Sequence, residues 1–246
     1  MNHEQEDISE EPGAMSREPG TLYGVGVGPG DPGLLTLKAL EVIKRVGAVA
    51  YPVNREGAGS RAFETVADHL PEATIRLPLL MPMTRDRERL EQAHAAAAET
   101  VIAATAGGMD VAYLSLGDPL FYSTFGYLAE RFPGRVEVVS GVTAASAMAA
   151  ALGLPLAAGD TPTVVVTGQA HAALEQALAM RASVVIIKPR SLSEESLEML
   201  DANGAWARAR GVIELGGTGE RVLEKLDRES AAALPYFAIL WIQPPE

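Results

Sequence analysis

Gly24-Val-Gly-Val-Gly-Pro-Gly-Asp-Pro-Gly33, GVGVGPGDPG, closes a short apolar run and opens a helical pattern, and its reading decides the fold. Its last six residues satisfy GxGxxG between a strand and a helix, as a dinucleotide-binding turn does. Two details oppose a phosphate cradle. The second strand ends in Tyr51-Pro52 instead of the acid that holds ribose hydroxyls, and Asp31 puts a negative charge where a pyrophosphate would approach. Asp31 is better suited to capping the following helix, with Pro32 at the first helical position, where its missing N–H costs nothing. Gly-Asp-Pro recurs at Gly117-Asp118-Pro119, where it should close a strand and open the next helix.

Outward from this turn, strand signals fall at Leu22–Gly26, Ala48–Tyr51, Thr74–Leu77, Val111–Leu116 and Val136–Val139. Helical patterns separate them at Leu34–Val46, Ser60–Leu70, Arg87–Ala106 and Phe121–Phe132. Such alternation implies a parallel sheet with helices on its faces. A small-residue helix follows at Ala144–Leu152, then strands at Thr163–Thr167, Val184–Ile187, Gly211–Glu214 and Tyr236–Trp241. Helices are expected near 171–180, 193–202 and 219–228, the second opened by a Ser191-x-x-Glu194 capping box. The reading is α/β: an acidic tail 1–20 expected to stay disordered, then two α/β domains, 21–140 and 141–246, with a cleft between them. Ligands of open α/β sheets sit at the carboxyl ends of the strands, where the two Gly-Asp-Pro turns and Ser140-Gly-Val-Thr-Ala-Ala145 should converge.

Composition narrows the function. With 246 residues, 48% of them hydrophobic, the chain can fill a sizeable core. The absence of cysteine excludes disulfides, thiolate metal sites and a Cys nucleophile. His3, His69, His94 and His171 are scattered without an i, i+4 pair, so no metal site is expected and the four are read as surface or incidental. No apolar run of about 18 residues is present, and the first twenty residues lack the apolar stretch of a secretory signal. A cytoplasmic protein without membrane contact is expected. The net charge, 20 − 32 = −12, argues against nucleic acid as partner, although the tail alone, with six acids and one base, contributes −5.

Taken in order, GxGPGDPxLLTLKA within Gly24–Ala39, the SxGDPxxY turn at Ser115–Tyr122 and GVTAxxAxAAxLGxPLA at Gly141–Ala157 resemble the tetrapyrrole methylases, which use S-adenosylmethionine. The resemblance covers about residues 21–246. Several details are similar to the branch that methylates carbon 20 of precorrin-2. These are Tyr51-Pro52, where uroporphyrinogen methylases place an Asp after the Tyr, then Pro78-Leu-Leu-Met-Pro-Met83, the aromatic run GDPLFYSTFGYL, and Pro235-Tyr-Phe.

The resemblance implies a mostly parallel five-stranded N-terminal sheet, a mixed C-terminal sheet, and a cofactor site in the cleft between them. Gly28, Pro29, Gly30 and Asp31 would form its loop. Leu116, Gly117 and Asp118 would meet the methionine moiety, with Phe121 and Tyr122 nearby, Thr143 and Ala144 as floor, and Lys188 and Gly216 as carboxyl-terminal contacts. A base must remove the proton of the methylated carbon, and by residue type Tyr122, Glu214 and Tyr51 are candidates, the first two foremost. A carboxylate-rich tetrapyrrole needs forked cations, and Arg55, Arg61, Arg76, Arg85, Arg87 and Arg89 cluster after the second strand. Of these Arg55, Arg76, Arg85 and Arg87 are the substrate-contact candidates.

Blander roles stand beside these. Asp31 and Asp118 could serve only as caps, residues 84–89 could form a solvated helix start, Met81 and Met83 could be core fillers, and Ala144–Leu152 could be a tightly packed helix. The leading expectation is an S-adenosylmethionine-dependent methyltransferase acting on carbon 20 of precorrin-2 or cobalt-factor II in corrin synthesis, as a homodimer. Uroporphyrinogen III or another tetrapyrrole is the alternative acceptor, and an NAD(P)-dependent oxidoreductase is the rival class. A module that only binds is disfavoured by the size of the cleft that two domains and three turns would form.

Overall fold

A computed structural model describes residues 18–84 and 86–245. The first half runs β1 (Leu22–Gly26), α1 (Leu37–Arg45), β2 (Ala48–Val53), α2 (Arg61–Glu64), β3 (Ile75–Leu80), α3 (Arg87–Thr105), β4 (Val111–Ser115), α4 (Phe125–Ala129) and β5 (Val136–Val139). The five strands form one parallel sheet in the order β3-β2-β4-β1-β5. Period-two alternation decides which helix each residue meets. Leu22, Ala48, Ala50, Val111 and Tyr113 join the core with α3 and α4, while Tyr23, Val25, Val49, Ala112 and Leu114 join that with α1 and α2. Both faces are covered, as a parallel sheet requires.

The chain then enters a second layered unit: α5 (Ala144–Leu152), β6 (Thr163–Thr167), α6 (His171–Ala179), β7 (Ser183–Ile187), α7 (Glu194–Ala202), β8 (Ala209–Ile213), β9 (Arg221–Leu223), α8 (Arg228–Ala232) and β10 (Ala238–Ile242). Its sheet, β6-β7-β10-β8-β9, is mixed, with β6 and β7 parallel and the remaining pairs antiparallel. Ala145, Ala147 and Met148 of α5 pack on one face with Val185, Ile239 and Trp241. Side chains of α6, α7 and α8 cover the other with Val184, Ile186 and Leu240. Among the described residues no helix is long and apolar enough to cross a membrane.

The elements depart from the sequence-based expectations where tertiary contacts outweigh local pattern. The helix expected over 60–70 is reduced to α2 and a 3-10 turn at Ala67–His69. Of the one expected over 121–132 only α4 forms, because Tyr122 takes φ 53° and the Ser123 hydroxyl accepts the Phe125 N–H. Within the helix expected over 219–228, Arg221–Leu223 pair instead as β9 along β8, and α8 starts only at Arg228 on a capping box of Asp227 and Ser230. The cap of α7 is Ser193, not Ser191, whose hydroxyl turns back to the Lys188 carbonyl. Asp31 caps a 3-10 turn at Pro32–Leu34, and α1 has its own cap in Thr36. β3 continues through Pro78 to Leu80, which an edge strand tolerates. Residues 1–17 of the acidic tail lie outside the described residues. Gly20, grouped with that tail in the sequence reading, is buried and donates its N–H to Thr105.

Gly24 marks a tight core contact, since a Cβ there would lie 2.4 Å from the Phe125 ring. Replacing Gly24 by Ala should lower unfolding stability by about 1–3 kcal/mol, as overpacked cores do. Adding Phe125→Leu should return part of that loss in denaturant unfolding, whereas a strictly additive double variant would show that the ring is not the obstacle.

Candidate active site

Because β4, β1 and β5 are neighbours, the turns that follow them meet at one sheet edge. Gly28 and Gly117 exchange backbone hydrogen bonds across two of these turns, at 3.3 and 2.7 Å, and both glycines take positive φ, 70° and 82°. The third turn is drawn in by Asp118. One of its oxygens accepts from Ser140 Oγ at 2.5 Å and Gly141 N at 3.0 Å, and the other from Leu120 N at 2.9 Å. The fit leaves no room for side chains: a Cβ on Gly141 would lie 2.2 Å from the Gly117 carbonyl oxygen and 2.7 Å from Gly26 Cα. Burial tends to raise the Asp118 pKa, but the hydrogen bonds from Ser140, Leu120 and Gly141 outweigh it and hold the carboxyl below its ordinary value. No helix starts at Pro119, contrary to the cap expected there, so Asp118 ties turns together instead.

The second sheet offers its own edge opposite. Its strands are mixed in direction, and the ends of β6, β7 and β8 and the beginning of β10 lie on this side, bringing Thr167, Lys188, Leu215 and Phe237 to the cavity wall. Two side chains cross from the first half. Tyr122 donates its hydroxyl to the Val165 carbonyl of β6 at 3.0 Å. Arg61 donates to the Glu214 and Leu215 carbonyls, each at 3.3 Å, with its guanidinium 4.5 Å from the centre of the Phe237 ring.

Between the two edges lies a cavity of ≈ 930 Å³. Pro29, Leu116, Gly117, Asp118, Phe121, Tyr122, Thr143, Ala144 and Lys188 all line it. Gly28 stands behind this wall on its bonds to Gly117, and the Asp31 side chain is turned to its own cap, accepting from Gly33 N at 2.7 Å. Gly30, Glu214 and Gly216 border a separate cleft of ≈ 480 Å³ on the far side of Arg61. Lys188 is exposed to the cavity yet desolvated by its walls, which lowers its pKa.

The arginine cluster of the sequence does not stay together in space. Arg61 lines the cavity, whereas Arg55, Arg87 and Arg89 are exposed away from its wall, and Arg76 lies against the Phe63 ring at 5.2 Å. Arg85 is outside the described residues. Arg190, which the sequence reading passed over, also lines the cavity.

The other missed residue is His94, read as surface or incidental but only 8% exposed, with its ring in the cavity wall. Its signal was the spacing His94, Ala97, Ala98, Val101 and Thr105, the buried stripe of α3. The imidazole stacks on Tyr127, with ring centroids 4.4 Å apart and an interplanar angle of 10°. Desolvation, with a smaller effect of Arg131, pushes its pKa down, against the pull of Glu91. Nearby, the buried Tyr113 hydroxyl is bonded to Thr124 Oγ1 at 2.5 Å, and burial raises its pKa to about 12.

Residues 21–229 match the family model of the tetrapyrrole (corrin/porphyrin) methylases. A precorrin-2 C(20)-methyltransferase of Sinorhizobium is 35% identical over 91% of this chain and 95% of its own length. A probable cobalt-precorrin-2 C(20)-methyltransferase of Methanocaldococcus jannaschii is 38% identical over 71% of this chain and 74% of its own. Among solved structures, a cobalt precorrin-4 methyltransferase superposes with a TM-score of 0.69 at 18% identity, covering 91% of this chain and 94% of that one. The uroporphyrin-III C-methyltransferase of Thermus thermophilus, solved with S-adenosyl homocysteine, reaches 0.66 at 23% identity, covering 91% and 92%.

Replacing Asp118 by Ala leaves the Ser140 and Gly141 donors without their charged acceptor and should cost about 2 kcal/mol at neutral pH. The folded-state pKa lies below the unfolded one, so this contribution is complete above the ordinary value of 3.8 and disappears as pH falls through the folded value. Chemical denaturation of both proteins across acid pH should therefore show the gap closing at the lower end, and a gap independent of pH would mean that the carboxylate charge is not involved.

Proposed function

Because the chain belongs to the tetrapyrrole (corrin/porphyrin) methylase family, we propose that it transfers a methyl group from S-adenosylmethionine to carbon 20 of precorrin-2 or cobalt-factor II in cobalamin synthesis. The observation that carries this reading is a cavity with two unlike ends. One is walled by the turns at 29, 116–118 and 143–144, and the other by the side chains of Met81, Met83, Leu90 and His94.

The first end suits the cofactor. Gly117 leaves open space where a side chain would stand, and Thr143 and Ala144 are small. Lys188 has no acidic partner among the described residues and so can take a carboxylate. When bound, S-adenosylmethionine supplies an electrophilic methyl group, and the chain's contribution is to hold donor and acceptor in line about 3 Å apart. Pro29, Leu116, Gly117, Thr143 and Ala144 position the donor in this reading. Arg61, fixed by two carbonyls, and Arg190 present cations to acceptor carboxylates. Tyr122 holds the two halves together through Val165 beside the cavity. Residues 21–140 and 141–246 are taken as two domains that each supply one wall. The reading carries with it a cytoplasmic setting and a homodimer, for which the exposed Leu37, Leu120 and Tyr127 offer apolar surface.

The dinucleotide oxidoreductase suggested by GxGxxG is set aside by family membership. Incubation with S-adenosylmethionine and, separately, precorrin-2, cobalt-factor II and uroporphyrinogen III, followed by mass spectrometry, should show one added methyl on precorrin-2 or cobalt-factor II. Methylation of uroporphyrinogen III alone would overturn the acceptor assignment. In calorimetry the protein should bind S-adenosylhomocysteine and not NAD.

A further inference from the structure

Methylating an unsaturated ring carbon leaves it carrying a surplus proton, so the cavity must contain a group able to accept one. The other candidates on the wall are engaged. Asp118 accepts from Ser140, Gly141 and Leu120, Tyr122 donates to Val165, and Tyr113 is bonded to Thr124 with its pKa raised to about 12. Tyr236 is likewise raised by burial, Arg61 and Arg190 are guanidinium cations, and Lys188 is assigned above to a carboxylate of the methyl donor. Glu214 borders the other cleft. Two acceptors remain, Glu64, exposed on the wall beside Gly59, and His94.

We propose that His94 is a catalytic residue that takes the proton from the newly methylated carbon. The inference rests on the methyltransferase reading and adds the base that this reading lacks. α3 carries His94 on its buried stripe, and the Tyr127 ring of α4 lies parallel to the imidazole at 4.4 Å, fixing its plane. Among the described residues neither ring nitrogen has a hydrogen-bond partner, so the ring is held by stacking and its nitrogens stay available to a ligand. The charged groups around it are Glu91 on its own helix and Arg131 beyond α4. These two pair with each other at 2.6 Å, and Arg131 also donates to the Tyr127 carbonyl at 2.7 Å, so no free carboxylate keeps the imidazole protonated. Its pKa lies below the ordinary 6.5, which leaves it the free base at neutral pH.

The step balances. The ring carbon's electron pair forms the new C–C bond as the methyl–sulfur bond breaks with its pair going to sulfur. The C–H bond then breaks, its proton passing to a His94 ring nitrogen and its pair rejoining the conjugated macrocycle.

The test uses the full chain, the acceptor that it methylates supplied unmethylated with deuterium at the reacting carbon, and the variants His94→Asn, His94→Gln and Glu64→Gln. Both His94 variants should bind S-adenosylhomocysteine within about twofold of the parent while kcat falls about 100-fold or more. A primary deuterium isotope effect absent from the parent should appear, and the loss of rate on acidification through the His94 pKa should vanish. Glu64→Gln should keep parent kcat and the acid limb. In the unaltered protein without methyl donor, the His94 imidazole NMR signal should shift when the acceptor binds.

Variants with parent kcat and an intact acid limb overturn the proposal. So does a slow variant without an isotope effect, which marks a structural stack, and so does an isotope effect in Glu64→Gln instead. If the His94 variants do not fold, an imidazole signal indifferent to the acceptor overturns it. A parent protein that methylates none of the tetrapyrroles overturns the function reading itself, a result distinct from all of these.

Discussion

The Asp118 carboxylate is the interaction on which the rest of the site depends. It binds the Ser140 hydroxyl and the Gly141 N–H, and in doing so pulls the end of β5 against the turn that leaves β4. The paired backbone bonds of Gly28 and Gly117 bring in the turn that leaves β1. Three strand ends are thereby fused into one surface of main chain. Such a surface needs glycine at the crossing points, since Gly26 and Gly141 approach more closely than any Cβ permits. The charge matters as well as the shape, because a neutral group cannot hold two N–H donors and a hydroxyl in so small a space as strongly.

The two halves are joined through acceptors that no substitution removes. Arg61 and Tyr122 both reach main-chain carbonyls of the second unit, at Glu214, Leu215 and Val165. The gap between the sheets is therefore set by backbone geometry on one side and two long polar side chains on the other. Phe237 adds a ring beneath the Arg61 guanidinium, which keeps that cation from swinging into solvent.

Much of this was legible in the sequence. Strands buried on both faces announce themselves as apolar runs, and β1, β2 and β4 fall on such runs, while the edge strands β3 and β5 carry Arg76 and Glu137 and are partly exposed. The turns were legible because Gly-Asp-Pro and Gly-Val-Thr restrict the chain to few conformations. Helix boundaries were misjudged where a distant partner decided them: the stretch 219–228 carries a helical pattern, but Arg221–Leu223 within it pair with the open edge of β8. Proximity in sequence misled for the arginines. Arg55 follows β2, Arg76 lies inside β3 and Arg87 begins α3, so three neighbours in the chain point in three directions. His94 was overlooked because an isolated histidine in an alanine-rich stretch has no motif, although its phase on α3 placed it inward.

The two ends of the cavity are made of different material. One is backbone, held by glycines and a carboxylate, and a mutation there acts first on folding. The other is a set of side chains on α3 and on the segment that leads into it from β3, of which Met81 also packs on the core and His94 stacks on Tyr127, while Met83 is exposed. The part of the cavity that holds the fold together and the part that only shapes it are thus largely different residues. An engineer, or natural selection, could exchange Met83 and Leu90 for other residues and so reshape that end of the cavity while the three fused turns stay as they are.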